Sequence, residues 1–209
     1  MTLCLPIDPT HPDPEVLARA AETLRRGGIL AYPTETLYGL GVDPFNPEAL
    51  DRLYDLKGRP ASLPVSILVR DFEMLRTVVL EVPPGALRVM KAFLPGPLTV
   101  VLPAARRLPE RLTAGSGRIG VRISSHPLAA RLFQVYPFPI TTTSANPTGR
   151  PGARDAREVQ AYFPGGLDCI LDGGTVPGGI GSTVADLTGA APVILREGAI
   201  PGSEIRKLV

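Results

Sequence analysis

Four segments of this sequence gather side chains that can do chemistry. The first is Tyr32-Pro33-Thr34-Glu35-Thr36-Leu37-Tyr38-Gly39-Leu40-Gly41, which sets hydroxyls, a carboxylate and two phenols in one expected loop. At the carboxyl end of a strand, such a loop suits a small polar ligand in an open α/β sheet. It reads equally as a polar turn with glycine where φ must be positive. The second, Lys57-Gly58-Arg59-Pro60, puts two cations on either side of a glycine. They can converge on a phosphate chain, or simply complement the C-terminus of the helix they follow. The third, Ile140-Thr141-Thr142-Thr143-Ser144-Ala145-Asn146-Pro147-Thr148-Gly149, runs from a β-branched strand into Ser-Ala-Asn-Pro. Hydroxyls, an amide and free N–H groups at a strand end fit a nucleotide or phosphate, while Asn-Pro alone is an ordinary turn. Four hydroxyls in a row exceed what a buried strand holds without partners, which favours a lined cleft. The fourth is Gly178-Gly179-Ile180-Gly181-Ser182-Thr183-Val184-Ala185-Asp186, followed by Ile194-Leu195-Arg196-Glu197-Gly198. Its glycines form neither a P-loop nor a dinucleotide fingerprint, because no Gly-Lys-Ser/Thr follows and the run leads into a strand. It reads as a hairpin or a cleft edge, with Arg196 at the end of a short apolar strand aimed at the same cleft.

The elements that must position these segments alternate between helix and strand. Asp13-Pro14 starts a helix as cap and first turn, its apolar residues recur at helical spacing, and Gly27-Gly28 ends it. Ile29–Tyr32 is an expected strand, stopped by Pro33. A helix runs from Asn46-Pro47 to about Lys57 and breaks at Gly58. Further strands are expected at 65–69, 98–102, 119–123, 139–143, 168–171, 182–187 and 193–195. Further helices are expected at 84–94, 127–135 and 155–163, with a short one near Gly202. About five helices and seven or eight strands make an α/β chain, and the clustered late strands leave room for a mixed sheet.

Composition narrows the function classes. The chain has 209 residues, 44% of them hydrophobic, enough for one sizeable core. A net charge of +2 excludes a strongly basic nucleic-acid arm and an acidic tail. No apolar run reaches the roughly 18 residues of a membrane span, and Met1–Asp13 does not read as a secretory signal. Cys4 and Cys169 are too few for a disulfide framework or a four-thiolate zinc site, and fit a reducing cytoplasm. His11 and His126 are too few for most metal clusters. Aromatics at 5%, with no Trp, weaken a base-stacking reading. His126 reads as a helix-entry residue and Cys169 as a buried hydrophobe.

Taken in order, the segments resemble the YrdC/Sua5 family in its short, TsaC-like form, from about Pro14 to Gly198. The resemblance rests on Tyr-Pro-Thr-Glu-Thr at 32–36, Lys-Gly-Arg-Pro at 57–60, Pro-Gly-Pro-Leu-Thr at 95–99 and Gly-Val-Arg at 120–122. It continues through Ser-Ala-Asn at 144–146, Ser-Thr-Val at 182–184 and Arg-Glu-Gly at 196–198. Each is common alone; seven in register are not. The resemblance implies one domain over 1–209, a twisted open mixed sheet flanked by helices around a cationic concave cleft, without the C-terminal Sua5 extension.

The resemblance also implies an activity. The reaction would join L-threonine, bicarbonate and ATP into L-threonylcarbamoyladenylate and pyrophosphate. The product would pass to a separate tRNA-modifying transferase, for N6-threonylcarbamoyladenosine at position 37. Lys57 and Arg59 are the expected catalytic cations. ATP contacts are expected from Lys57, Arg59, Arg118, Ser144, Asn146, Gly152 (through its backbone) and Arg196, with Mg²⁺ bridging the triphosphate and no metal site on the protein. Threonine is expected against Thr34, Arg122, Thr142 and Ser182, with Thr113 and Thr183 as further candidates. Glu35 would either assist proton removal from the amine or brace its own loop. Many members carry His about where Leu68 stands, so one threonine contact is lost or replaced here. Two other classes remain: an RNA-binding module with weak backbone contacts, and a carbamoyl-adenylate-type transferase. The net charge opposes the first, and two cysteines in one domain oppose the second.

Overall fold

The helices start where the sequence supplies caps. In the computed structural model, which describes residues 2–209, the Asp13 carboxylate accepts the Glu15 N–H at 2.8 Å and the Asn46 amide oxygen accepts the Ala49 N–H at 3.1 Å. Gly58, at φ 55°, ends its helix in the left-handed conformation that glycine tolerates best.

In chain order the elements are β1 (Leu3–Pro6), α1 (Pro14–Arg25), β2 (Leu30–Pro33), β3 (Tyr38–Gly41), α2 (Pro47–Lys57), β4 (Ser66–Leu68), α3 (Phe72–Leu75), α4 (Pro84–Phe93) and β5 (Leu98–Pro103). Then follow α5 (Glu110–Thr113), β6 (Arg118–Arg122), α6 (Pro127–Val135), β7 (Ile140–Ser144), α7 (Ala156–Tyr162), β8 (Cys169–Asp172), β9 (Thr183–Asp186), β10 (Val193–Arg196) and α8 (Gly202–Arg206). The ten strands form one open mixed sheet in the order β1-β8-β2-β3-β7-β4-β6-β5-β9-β10. The α/β expectation with a mixed sheet agrees with this. No helix among the described residues is long and apolar enough to cross a membrane.

Two strands depart from the sequence expectation. β1 ends on a proline and pairs only with β8, so four residues at a sheet edge carry little periodic signal. β3, Tyr-Gly-Leu-Gly, was expected to be loop. It pairs antiparallel with β2, Tyr32 opposite Gly39. A Cβ at Gly39 would lie 3.2 Å from the Tyr32 ring, and one at Gly41 3.0 Å from it. The two glycines make room for that ring, so packing overrides their poor strand propensity.

Strand periodicity then separates core from site. On β5, β6 and β9, Leu98, Val100, Ile119, Val121 and Ala185 are buried in the apolar core. The alternate residues Thr99, Val101, Arg118, Gly120, Arg122, Val184 and Asp186 line one cavity.

Candidate active site

That cavity holds about 690 Å³ and is bounded on its other sides by the loops that follow β2 and α2, by the end of β7 and by β10. Four arginines and one carboxylate line it: Arg59, Arg118, Arg122, Arg196 and Asp186. A separate apolar groove of about 500 Å³, between Phe45, Met74 and Phe138, contains none of the expected site residues.

The four arginines divide by how they are held. Arg122 is buried, and its Nη2 lies 3.0 Å from both Glu35 Oε1 and Thr36 Oγ1. The other Glu35 oxygen accepts the Ser124 hydroxyl, whose oxygen in turn accepts the His126 N–H. Burial pushes the Glu35 carboxyl up, but Arg122 and Ser124 outweigh it and hold it below its usual value. Arg118 pairs with Asp186 at 2.6 Å. For Asp186 too, burial opposes ionisation, and the Thr188 hydroxyl and N–H together with Arg118 prevail, so its pKa is lowered.

Arg59 and Arg196 have no carboxylate partner among the described residues. Arg59 donates to the Leu63 and Pro64 carbonyls, and Arg196 donates through Nε and Nη2 to the Ser182 carbonyl at 3.2 and 2.7 Å. Burial holds both guanidinium pKa values below the ordinary range, and Arg196 also feels Arg122 and Arg59. Two neutralised cations and two uncompensated ones therefore share one cavity. The uncompensated pair is where a polyanion gains most.

Glu35 gives a pH test. Its folded pKa is depressed, so its contribution to stability is complete above the usual carboxylate value and is lost as pH falls through the folded one. Between about pH 5 and pH 3 the melting temperature of the wild type is expected to fall more steeply than that of Glu35→Gln. Parallel melting curves would assign the acid sensitivity to other groups.

A family model named Sua5_yciO_yrdC, described as "Telomere recombination", matches residues 22–198. The chain belongs to the Sua5/YciO/YrdC family. It is 41% identical over 190 residues to the threonylcarbamoyl-AMP synthase of Pyrococcus abyssi, covering 91% of this chain and 56% of that protein. The chain thus spans little more than half the length of that relative. The P. abyssi Sua5 structure solved with L-threonine superposes with a TM-score of 0.94 at 38% identity, over 100% of this chain and 61% of that one. Escherichia coli YciO superposes at a TM-score of 0.88 and 31% identity, over 95% of this chain and 97% of YciO.

Within this family member, the expected site residues fall into two groups. Arg59, Arg118, Ser144 and Arg196 line the cavity, as do Thr34, Arg122, Thr142 and Ser182. Lys57, Asn146 and Gly152 are not among the lining residues. Lys57 is buried beneath the loop after β7 and donates from Nζ to the Ser144 and Asn146 carbonyls at 2.6 and 2.7 Å. It is committed to that loop, whereas the sequence placed it on the triphosphate. Asn146 Nδ2 donates to the Pro147 and Arg150 carbonyls, and its buried Oδ1 has no partner among the described residues. Gly152 lies behind Leu37, where a Cβ would come within 2.6 Å of Leu37 Cδ1.

Thr113 and Thr183 spend their hydroxyls on the Glu110 and Ile200 carbonyls, away from the lining. Leu68 is fully buried and does not line the cavity. His126 caps α6, its Nδ1 accepting the Leu128 N–H. Lining residues that sequence reasoning did not single out include Thr36, Ser66, Thr99, Ser116 and Asp186. Thr99 and Asp186 lie on β5 and β9, where strand alternation was the signal that would have found them; Thr36 lies in the turn between β2 and β3, where no such period applies.

Proposed function

We propose that the chain is a threonylcarbamoyl-AMP synthase, a nucleotidyltransferase that uses L-threonine, bicarbonate and ATP. The observation that carries the reading is the pairing of two cation types in one cavity. Arg122, oriented by Glu35 and Thr36, offers a fork for the amino-acid carboxylate beside the hydroxyls of Thr34 and Thr142. Arg59 and Arg196, without carboxylate partners, answer a triphosphate. Arg118, already paired, helps orient the nucleotide. Lys57 acts by holding the Ser144–Asn146 loop, so it is a positioning residue.

Threonine's ammonium gives a proton to solvent, and its amine attacks the bicarbonate carbon. Carbamate forms and water leaves. A carbamate oxygen then attacks the α-phosphorus of ATP, the bond to the bridging oxygen breaks, and pyrophosphate departs with the electron pair. No covalent enzyme intermediate is required, and positioning with charge neutralisation is the protein's part. Glu35 is spent on Arg122 and Ser124, which favours its bracing role over that of a base.

Mg²⁺ does not fit a resident site here. Among the described residues no three His, Cys, Asp or Glu side chains converge, and the one lining carboxylate is taken by Arg118. The ion would arrive on triphosphate oxygens and water, as part of the substrate. The adenylate would then pass, in the cytoplasm, to a tRNA-modifying transferase for position 37.

The test is pyrophosphate release by the purified protein with Mg²⁺ and ATP, omitting threonine or bicarbonate in turn. Release is expected only when both are present. Release indifferent to threonine would defeat the reading, and salt-sensitive RNA binding without turnover would move it to the RNA class.

A further inference from the structure

We infer that Ser124, which is not among the lining residues, is a positioning residue for the amino-acid site: through Glu35 it fixes the Arg122 guanidinium that receives the threonine carboxylate. The inference rests on the synthase reading and adds to it a residue that the substrate does not touch.

The contacts close a ring. Arg122 is the last residue of β6, and Ser124 follows it by two. Both reach Glu35, Arg122 Nη2 at Oε1 and the Ser124 hydroxyl at Oε2. Glu35 belongs to the turn between β2 and β3, and in the sheet β7 and β4 stand between that hairpin and β6. One carboxylate therefore spans two strands, and it is caught on the far side by two side chains from a single strand end.

The part of the serine is directional. An ionised carboxylate has no proton to give, so the Ser124 hydroxyl must donate to Glu35. Its oxygen accepts the His126 N–H at 3.1 Å, at the start of α6. With proton and lone pair both assigned, the hydroxyl cannot turn away without stranding a partner. Without that hydroxyl, Oε2 loses its side-chain donor and the carboxylate is free to rotate off Arg122.

Arg122 depends on that carboxylate for its aim. Glu35 Oε1 and the Thr36 hydroxyl both meet Nη2 at 3.0 Å, while the buried Nε has no partner among the described residues. A grip on one nitrogen sets the plane of the guanidinium and leaves Nε for a ligand. A planar fork tolerates little error, because its two bonds to a carboxylate weaken together when the plane tilts. Arg59 and Arg196 stand outside the ring, held instead by the Leu63, Pro64 and Ser182 carbonyls. Slack introduced at Ser124 therefore reaches the threonine side of the cavity and spares the phosphate side.

Pyrophosphate release with threonine and ATP varied in turn tests the assignment in wild type, Ser124→Ala and Ser124→Thr. Ser124→Ala is expected to raise the threonine KM about three- to tenfold while the ATP KM stays within about twofold, and Ser124→Thr, which keeps the hydroxyl, should restore it. An unchanged threonine KM, or threonine and ATP KM values that rise together, overturns the assignment. A double-mutant cycle with Glu35→Ala separates action through Glu35 from simple loss of the α6 start. Once Glu35 is gone, Ser124→Ala should change the threonine KM by less than about twofold; additive effects overturn the route. Calorimetric titration with threonine alone reads the site without turnover. A wild type that binds threonine yet releases no pyrophosphate fails the synthase reading, and the assignment then stands on a three- to tenfold weaker affinity in Ser124→Ala and falls on an equal one, at about the same precision. A wild type that does neither overturns both.

Discussion

Lys57→Met is expected to lower the melting temperature by about 5–15 °C and to cut pyrophosphate release with it. Lys57 is buried, and its Nζ satisfies two carbonyls, those of Ser144 and Asn146. Methionine fills much of the space and donates nothing. Stranding two buried acceptors costs about 2–4 kcal/mol in all, and a chain of this length loses roughly 2–4 °C for each kcal/mol. The stranded carbonyls belong to the loop that carries Ser144 into the cavity, so turnover falls because the loop relaxes. Lys57→Arg is not expected to rescue it, since a planar fork does not fit where a compact ammonium points at two carbonyls.

The same lysine has a pH signature. Burial and the nearby Arg59 guanidinium push its pKa down to about 7. The unfolded value lies near 10.4, so between about pH 7 and pH 10 the unfolded chain binds more protons and stability rises with pH. A neutral amine still has two N–H groups for two carbonyls, so discharge removes the buried charge without losing either bond. The gap in melting temperature between wild type and Lys57→Met should therefore widen from pH 7 to pH 9. A constant gap would mean that the ammonium stays charged in place. A small gap at every pH would mean that the loop is held by other contacts, such as the Thr148 N–H on the Lys57 carbonyl.

Much of this was legible in the sequence because the signals were local. Capped helix starts at Asp13 and Asn46, the stop at Gly58 and the hydroxyl-rich run into Ser144 all depend on neighbours within a few residues. β3 was not legible, because its glycines are explained by a ring seven and nine residues earlier that only the β2–β3 pairing brings overhead. The two contacts of Lys57 were hidden for a related reason. A cation after a helix suggests an anion, and nothing local reveals two carbonyls 87 and 89 residues away. Arg118 and Arg122 look alike in sequence to Arg59 and Arg196. What separates them is the pairing with Asp186 and Glu35, and that depends on strand register and on a loop fold. Type and order of residues named several side chains that line one cavity. Which charges remain uncompensated inside it is a property of the folded chain alone.

That distinction sets the second large effect. Arg196→Ala is expected to reduce kcat by about 10²–10³-fold, the usual loss when one preorganised donor to developing charge is removed. Arg118→Ala is expected to cost about tenfold or less, because half-exposed ion pairs are worth at most about 1 kcal/mol and the Asp186 carboxylate already offsets that cation. Charge alone does not account for the Arg196 effect. Its Nε and Nη2 both clamp the Ser182 carbonyl, which fixes the plane of the guanidinium at the cavity wall. Arg196→Lys keeps the charge and loses the clamp, so it should recover part of the ATP affinity and little of kcat. The ratio between the alanine variants, measured at one ionic strength, is the decisive quantity. If Arg118→Ala falls as far as Arg196→Ala, then pairing with a carboxylate does not set the roles of these arginines, and the phosphate path must run past Arg118 and Asp186. If Arg196→Ala alone collapses, the path runs between Arg59 and Arg196.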